Sequence, residues 1–142
     1  MTKLNVIVIV LDGLRNDRIP LCTNLFSILK KNYFFSNMIT AAPYTLSSLH
    51  SINTGLYPPK HGVDSYFNMF KFKKEVCKTL AQYLHDSGYY TESNLVNESV
   101  IPSQGFDSFV AHDEYKDDLT KLHKDIITKA AKKKFFLFYA KC

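Results

Sequence analysis

The sequence predicts an α/β fold with a mostly parallel sheet and helices on both of its faces. Two stretches, Leu4–Leu11 (LNVIVIVL) and Phe135–Ala140 (FFLFYA), are almost continuously apolar and rich in β-branched or aromatic residues. Runs of this kind are typical of parallel strands, which are covered on both sides. The segments between them carry apolar residues at helical spacing. Strands separated by helices favour an α/β arrangement.

The composition is that of one globular domain. The chain has 142 residues, of which 46% are hydrophobic and 22% charged, enough for a domain of ordinary size with its own core. The net charge is +5. The lysines form two runs, Lys71, Lys73, Lys74 and Lys78, and then Lys129, Lys132, Lys133 and Lys134. We interpret both runs as solvated helix faces rather than anion sites, and we expect no nucleic-acid partner because no such motif accompanies them.

The cysteines and apolar runs predict a cytoplasmic protein. The chain has an odd number of cysteines, Cys22, Cys77 and Cys142, and none of them is in a CxxC motif. We therefore expect reduced thiols. We expect no signal peptide, because the first apolar run begins at Leu4 and already ends at Asp12. No run approaches the ~20 residues that a membrane span needs, so no membrane span is expected.

The first predicted strand ends in a carboxylate. We expect Leu4–Leu11 to be a central parallel strand, and Asp12-Gly13 follows it. Open α/β sheets bind ligands at the carboxyl ends of their strands. No GxGxxG motif follows, so a dinucleotide site is not expected. The alternative is that Asp12 merely stabilises a turn or caps a helix.

A predicted helix and strand lead into the most informative stretch. Pro20–Lys31 has one apolar stripe and predicts a helix. Asn32–Thr40 (NYFFSNMIT) predicts a strand. The stretch Ala42–Val63 (APYTLSSLHSINTGLYPPKHGV) then predicts a helix that begins near Thr45 and stops at Gly55, followed by a rigid proline turn.

Thr45 is the candidate nucleophile on physical grounds. It would lie at the N-cap or in the first turn of this helix, where the helix dipole and free N–H groups favour negative charge. That environment suits an oxyanion ester and helps a hydroxyl to act as nucleophile. The alternative is a threonine that only caps the helix.

The later part of the chain predicts two more helices and another strand. We expect a helix at Lys74–Ser87, with Val76, Leu80, Tyr83 and Leu84 inward and Gly88 as its C-cap, then a strand at Tyr89–Val96 and a helix at Asp113–Lys134. The acidic residues at the start of that last helix and the lysines near its end match the helix dipole.

The stretch from Ala42 to Val63 resembles the nucleophile signature of the sulfatase / alkaline phosphatase superfamily. Thr45 falls at the nucleophile position, and the pairs Thr54-Gly55, Tyr57-Pro58 and His61-Gly62 match in register. The resemblance extends over nearly the whole chain. It makes Asp12 the first metal ligand and Gly105-Phe106-Asp107 a structural turn.

Several positions depart from the pattern of true sulfatases. Those enzymes need Cys or Ser at the nucleophile position for oxidation to formylglycine, and Thr45 cannot be oxidised in that way. Leu49 replaces an arginine, Gly13 replaces a second aspartate, and Ser93-Asn94-Leu95 stands near where a Lys and a His bind substrate. Threonine resembles the phosphodiesterase and phosphotransferase branches, such as nucleotide pyrophosphatase-like enzymes and the lipoteichoic-acid and phosphoethanolamine transferases.

The resemblance implies the amino-terminal part of an alkaline-phosphatase-like fold. Residues 1–142 would form a single, partial domain, since family members are much longer and carry further Asp and His ligands later in the chain. The implied function is metal-dependent hydrolysis or transfer of phosphate esters, with Thr45 as nucleophile and with Asp12 and Thr45 as metal ligands. The ion would be zinc, manganese, magnesium or calcium, and the partner a small-molecule phosphate or sulfate ester. No substrate-binding residue is assigned.

Three alternatives stay open at this point. The chain could be a catalytically incomplete fragment that associates through the missing half of the fold. It could be a non-enzymatic α/β module that binds an anion at the terminus of the Thr45 helix. It could also hydrolyse sulfuric esters.

Overall fold

A four-stranded, all-parallel sheet forms the centre of the molecule. The computed structural model describes residues 4–113, 115–132 and 134–141. The strands are β1 (Val6–Leu11), β2 (Tyr90–Leu95), β3 (Ser108–Ala111) and β4 (Phe135–Lys141). Their order in the sheet is β1-β4-β2-β3, and every neighbouring pair is parallel. The α/β fold class is therefore confirmed.

Helices lie between the strands along the chain. They are α1 (Thr23–Lys30), α2 (Thr45–Thr54), α3 (Pro58–His61), α4 (Leu80–Asp86) and α5 (Leu119–Ala130), with short 3₁₀ helices at Asn16–Leu21 and Met69–Lys71. Among the described residues, no helix has the length and apolar character needed to cross a membrane.

The sheet is covered by helices on both faces, as predicted. On one face, Leu49 of α2 and Ala81 of α4 belong to the same buried cluster as Phe136 and Phe138 of β4. On the other face, Ile126 of α5 packs against β4 through a second cluster. The alternation of side chains along β4 therefore sends successive residues into two separate cores.

β1 is an edge strand, so the prediction of a central position was wrong for the described chain. It pairs with β4 alone. Ile7, Ile9 and Leu11 all project from one face, and they are 53%, 61% and 45% exposed. Val8 projects from the other face and packs against the main core. Strand β1 is therefore covered by the core on one face and exposed to solvent on the other, although its sequence is apolar on both.

The strand predicted at Asn32–Thr40 is not formed. The segment consists of turns and irregular backbone, and Tyr33 and Ile39 are 93% and 90% exposed. A strand needs a neighbour to satisfy its main-chain N–H and C=O groups. No strand of the described chain pairs with this segment, so its apolar residues do not produce a strand here.

The helix predicted at Lys74–Ser87 begins later than expected. The Thr79 hydroxyl accepts a hydrogen bond from the Gln82 N–H, and the Gln82 side chain accepts one from the Thr79 N–H. This capping box starts α4 at Leu80. Val76 consequently lies outside the helix and is 76% exposed. Tyr83, also predicted to point inward, is 56% exposed.

Helix α4 ends within one residue of the predicted position. Ser87 is the C-cap of α4, and Gly88 follows with φ +81°.

The helices predicted at Pro20–Lys31 and Asp113–Lys134 are also longer than α1 and α5, whereas α2 ends at the predicted Gly55. Strand β3 was not predicted. Asp118 caps α5 by accepting a hydrogen bond from the Lys121 N–H. Asp113 and Asp117 therefore lie outside the helix. In the described chain Cys22 and Cys77 are free thiols, whereas Cys142 lies outside the described residues.

The Gly-Phe-Asp turn ties the start of β2 to the start of β3. The Thr91 N–H donates to Asp107 Oδ2 at 2.8 Å, and the Thr91 hydroxyl donates to the Gly105 carbonyl at 2.6 Å. Burial opposes ionisation of Asp107. The hydrogen bonds from Thr91 and the neighbouring His85 together outweigh that effect and keep the pKa of Asp107 below its usual value. The turn therefore has a structural role here.

Candidate active site

The fold brings Asp12 and Thr45 into contact. Asp12 directly follows Leu11, the last residue of β1, and Thr45 is the first residue of α2. The Thr45 hydroxyl donates a hydrogen bond to Asp12 Oδ2 at 3.1 Å. The two residues are 33 positions apart in the sequence. A carboxylate and a hydroxyl therefore meet at the carboxyl end of the sheet, where α/β proteins bind ligands.

Thr45 lies inside the helix and does not cap it. The N-cap is Tyr44, whose backbone is extended and whose side chain makes no capping hydrogen bond. The first N–H groups of a helix have no partner within the helix, and the helix dipole adds partial positive charge there. The half-buried Thr45 hydroxyl therefore lies beside N–H groups that favour an anion.

Asp12 is held by its own turn. Its Oδ1 accepts a hydrogen bond from the Gly13 N–H at 2.9 Å, and Gly13 has φ +72°, a conformation that glycine adopts without strain. Asp12 therefore both stabilises the turn, as the alternative interpretation held, and contacts Thr45. One oxygen stabilises the turn while the other faces the hydroxyl.

The two side chains fit part of a site for a divalent cation. Carboxylate and hydroxyl oxygens are suitable ligands for hard divalent ions. Within the described ranges, however, no group of three or more His, Cys, Asp or Glu side chains is close enough to hold a metal ion. Asp12 and Thr45 therefore offer at most two of the ligands that a divalent cation needs.

The Thr-Gly pair of the signature ends α2. The Thr54 hydroxyl donates to the His50 carbonyl at 2.7 Å, and the Leu56 N–H donates back to that hydroxyl at 3.3 Å. Gly55 follows with φ +68°. Pro58 then begins α3, where its missing N–H leaves no hydrogen bond unmade. These residues shape the loop and do not reach the Asp12–Thr45 pair.

His61 fixes the turn and does not act as a base. Its side chain is fully buried. The Val63 N–H lies 3.2 Å from Nδ1, which must therefore accept that hydrogen bond, so the ring proton is on Nε2. Nε2 then donates to the Ser51 hydroxyl at 3.0 Å. An imidazole with this tautomer cannot take the proton of Ser51, so the Ser51–His61 pair is not a nucleophile and its base.

Sequence reasoning missed the buried polar face of α2. The Ser47 hydroxyl donates to the Val63 carbonyl at 2.7 Å, and His50 Nδ1 donates to the Leu46 carbonyl at 2.8 Å. Leu49, at the position of the sulfatase arginine, is 3% exposed and packs in the core. The sequence signal for this buried polar face was the presence of polar residues among the core-facing positions of the predicted helix.

The carboxyl ends of β2 and β3 carry a second polar contact that was not predicted. The Asn94 side chain is hydrogen-bonded to Nδ1 of His112. The His112 ring also stacks on Tyr139, with 5.6 Å between ring centroids and 6° between ring planes. Asn94 therefore positions His112 rather than standing free near the end of β2.

Arg15, which follows the Asp12-Gly13 turn, makes a local ion pair. Its guanidinium contacts both carboxylate oxygens of Asp17, at 2.9 and 3.0 Å, and both side chains are exposed. Arg15 is therefore not assigned to the site.

Stability is expected to fall as the pH drops below about 6.5, the usual pKa of histidine. Burial is the largest cause that lowers the pKa of both His50 and His61. The unfolded chain therefore binds protons at these two residues at a pH where the folded chain does not. Each imidazole removes up to about 1.4 kcal/mol of stability per pH unit within that window. Urea unfolding at pH 7.5 and 5.5 measures the loss.

The variant His61→Gln should reduce this pH dependence, because it removes one of the two buried imidazoles. The matched control is His123→Gln, at an exposed position of α5, which should leave the dependence unchanged. A pH dependence that is identical in all three proteins would contradict the assignment.

The fold and the paired side chains define a class of protein. It is an α/β protein with a hydroxyl at a helix N-terminus and a carboxylate at the end of the neighbouring strand, an arrangement suited to nucleophilic attack on an oxyanion ester.

Comparison with known proteins gives the family. The Sulfatase family model matches residues 5–140, and the chain belongs to the sulfatase family. It is also similar to a protein described as an arylsulfatase from Clostridium perfringens (strain 13 / Type A), with 28% identity over 123 residues. The match covers 80% of this chain and 25% of that protein. The chain thus spans about a quarter of the length of this relative. The predicted membership of the sulfatase / alkaline phosphatase superfamily is confirmed.

Proposed function

We propose that the chain carries the nucleophile of a metal-dependent hydrolase or transferase of phosphate esters, and that the nucleophile is Thr45. The observation that supports this most directly is the hydrogen bond from the Thr45 hydroxyl to Asp12, 3.1 Å long. A hydroxyl is a weak nucleophile unless a neighbouring group or a metal activates it. Asp12 is in contact with the hydroxyl that needs activation.

The chemistry follows from the two side chains. The Asp12 carboxylate accepts a hydrogen bond from the Thr45 hydroxyl and orients it, and the proton of that hydroxyl passes to water as Oγ1 attacks. Thr45 Oγ1 forms a bond to phosphorus while the bond from phosphorus to the alcohol oxygen breaks, and that oxygen takes a proton from water. The N–H groups at the start of α2 stabilise the phosphoryl oxygens. The product is a phosphothreonine, which keeps the second ester group when the substrate is a diester, and water or an acceptor alcohol then takes the phosphoryl group from it.

A divalent cation is part of this proposal. Sulfatase family members generally use a divalent metal. Asp12 and Thr45 would hold the ion, and when bound it would lower the pKa of the hydroxyl and balance the charge of the ester. Zinc, manganese, magnesium and calcium all accept oxygen ligands.

Sulfate esters are the second candidate substrates. The family and the arylsulfatase relative support them. Thr45 argues against them, because the residue at this position in true sulfatases is a Cys or Ser that becomes formylglycine. A threonine side chain attacks an ester directly, which favours phosphate.

We further propose that the chain is a partial domain, because it spans a quarter of the length of its relative. The missing metal ligands would then come from the rest of such a domain. The alternative of an anion-binding module without turnover requires only the start of α2.

Hydrolysis of a chromogenic phosphodiester by the purified chain tests the proposal. Zinc, manganese, magnesium and calcium are added singly, and the matching aryl sulfate is measured in parallel. Metal-dependent hydrolysis of the phosphodiester at a higher rate than that of the sulfate would support the phosphate assignment and show that the purified chain assembles a working site. Faster hydrolysis of the sulfate would contradict the phosphate assignment. No turnover with any metal would contradict an active enzyme and favour the incomplete fragment.

A further inference from the structure

The segment between α3 and α4 exposes aromatic rings and lysines together. Phe67 and Phe70 are 82% and 90% exposed, so two large apolar side chains remain in contact with water. Four exposed lysines lie in the same part of the chain. We name this surface the aromatic–lysine patch, and its members are Lys60, Phe67, Phe70, Lys71, Lys73 and Lys74.

The patch is held against α3 and the core from behind. The Phe72 ring packs against the main core and meets the His50 ring edge-on, with 5.2 Å between the ring centroids. The Lys73 N–H donates to the His61 carbonyl at 3.0 Å, and Lys73 Nζ donates to the Pro59 carbonyl at 3.2 Å. These contacts fix the segment to the fold while its other side chains face solvent.

The patch carries a net positive charge. In the part of the chain that the structure describes, no carboxylate forms an ion pair with any of its four lysines. Residues 60–74 contain a single acidic residue, Asp64, which accepts a hydrogen bond from the Asn68 side chain. The expectation that these lysines form a helix face was wrong, because Lys73 and Lys74 lie between the 3₁₀ helix at Met69–Lys71 and the start of α4.

We infer that the aromatic–lysine patch binds an anionic lipid surface. The aromatic rings would enter the boundary between headgroups and acyl chains, while the lysines reach the anionic headgroups. An acidic soluble partner would satisfy the lysines and leave the rings in water, and an apolar protein surface would do the reverse. An anionic bilayer offers both kinds of contact at once.

The inference does not depend on the proposed function. The patch follows the carboxyl end of α2, whereas Thr45 is the first of the ten residues of this helix. The length of α2 is about 15 Å at a rise of about 1.5 Å per residue. Lipid binding and turnover can therefore be tested separately, and Thr45→Ala should bind vesicles like the wild type.

Co-sedimentation of the whole chain with lipid vesicles tests the inference. The vesicles contain phosphatidylcholine alone, or phosphatidylcholine and phosphatidylserine at a molar ratio of about 7:3. We expect binding to be at least about tenfold tighter when phosphatidylserine is present, and weaker at high salt. Joint replacement Phe67→Ser and Phe70→Ser should weaken binding at least about tenfold, because the rings no longer enter the lipid.

A second double variant tests the lysines. Joint replacement Lys71→Gln and Lys74→Gln should also weaken binding at least about tenfold, since each lysine near an anionic surface contributes roughly fivefold. The matched control for this charge loss is Lys121→Gln with Lys124→Gln, at exposed positions of α5.

The aromatic variant has a matched control of its own. Tyr33 and Tyr115 are 93% and 92% exposed and lie outside the patch. Joint replacement of both by serine should leave vesicle binding unchanged, as should the lysine control. All of these replacements are at exposed side chains, so the folded chain is the protein tested in each case.

Several results would overturn the inference. They include no binding to vesicles with phosphatidylserine, equal binding to both kinds of vesicle, and equal losses in the patch variants and their controls. A second copy of the chain or a nucleic acid would be the occupant if a dimer, or a complex with single-stranded DNA, formed through Phe67 and Phe70 while vesicles did not bind. Either finding would likewise overturn it.

Discussion

Replacing Thr45 by alanine is expected to reduce phosphodiester turnover by at least about 10³-fold. Alanine leaves no oxygen to attack phosphorus and no donor for Asp12. The fold should persist, because Thr45 makes one side-chain hydrogen bond, to an exposed carboxylate. The loss in unfolding free energy should be no more than about 1 kcal/mol. Metal-dependent hydrolysis and urea unfolding measure the two quantities separately.

Two variants make this result specific. Thr45→Ser keeps a hydroxyl at the same place and should retain measurable turnover. Thr128→Ala removes an exposed hydroxyl of α5 that bonds to the Lys124 carbonyl, and it should leave turnover unchanged. Full activity in Thr45→Ala would rule out Thr45 as the nucleophile.

Replacing Gly105 by alanine is expected to destabilise the chain by about 3–5 kcal/mol. Gly105 has φ +86°, and a Cβ there would lie 2.3 Å from the main-chain nitrogen of Gln82 and 2.6 Å from its Cα. These are main-chain atoms of α4, which cannot move without shifting the helix. The Gly105 carbonyl also accepts the hydrogen bond from the Thr91 hydroxyl that ties β2 to the turn. The urea midpoint should fall strongly.

Gly88→Ala is the matched control for this clash. Gly88 has a similar φ of +81°, but a Cβ there would meet nothing within 4 Å. Gly88→Ala should lower the free energy of unfolding only by the strain of the left-handed conformation, about 1–2 kcal/mol. Gly62→Ala should resemble Gly105→Ala, because its Cβ would lie 2.2 Å from the Lys71 carbonyl oxygen. Equal losses of unfolding free energy in Gly88→Ala and Gly105→Ala would show that the clash with α4 does not destabilise the chain.

The elements that the sequence predicted well are those with strong local signals. The apolar runs of β1 and β4 predicted parallel strands, and Gly55 predicted the end of α2. Thr45 and Asp12 could each be predicted from a boundary between elements. Their contact could be expected only from the resemblance, because the residues are 33 positions apart.

The elements that were missed depend on partners distant in sequence. Residues 32–40 have a strand-like composition, yet strand formation needs a neighbouring strand. The central position predicted for β1 likewise depends on what lies at its outer edge. The role of His61 could not be derived from its spacing, because it is set by hydrogen bonds to Ser51 and Val63.

Mass spectrometry of the acid-quenched reaction tests the nucleophile assignment most directly. The chain is mixed with a phosphodiester and divalent metal, quenched during turnover and digested, and the peptide that contains Thr45 is sequenced. The assignment predicts an adduct on Thr45 in the wild type, a phosphoryl group that still carries the ester group retained from the diester, and no adduct in Thr45→Ala. A phosphoryl group on Ser48 or another hydroxyl, or turnover with no phosphorylated peptide at all, would contradict it.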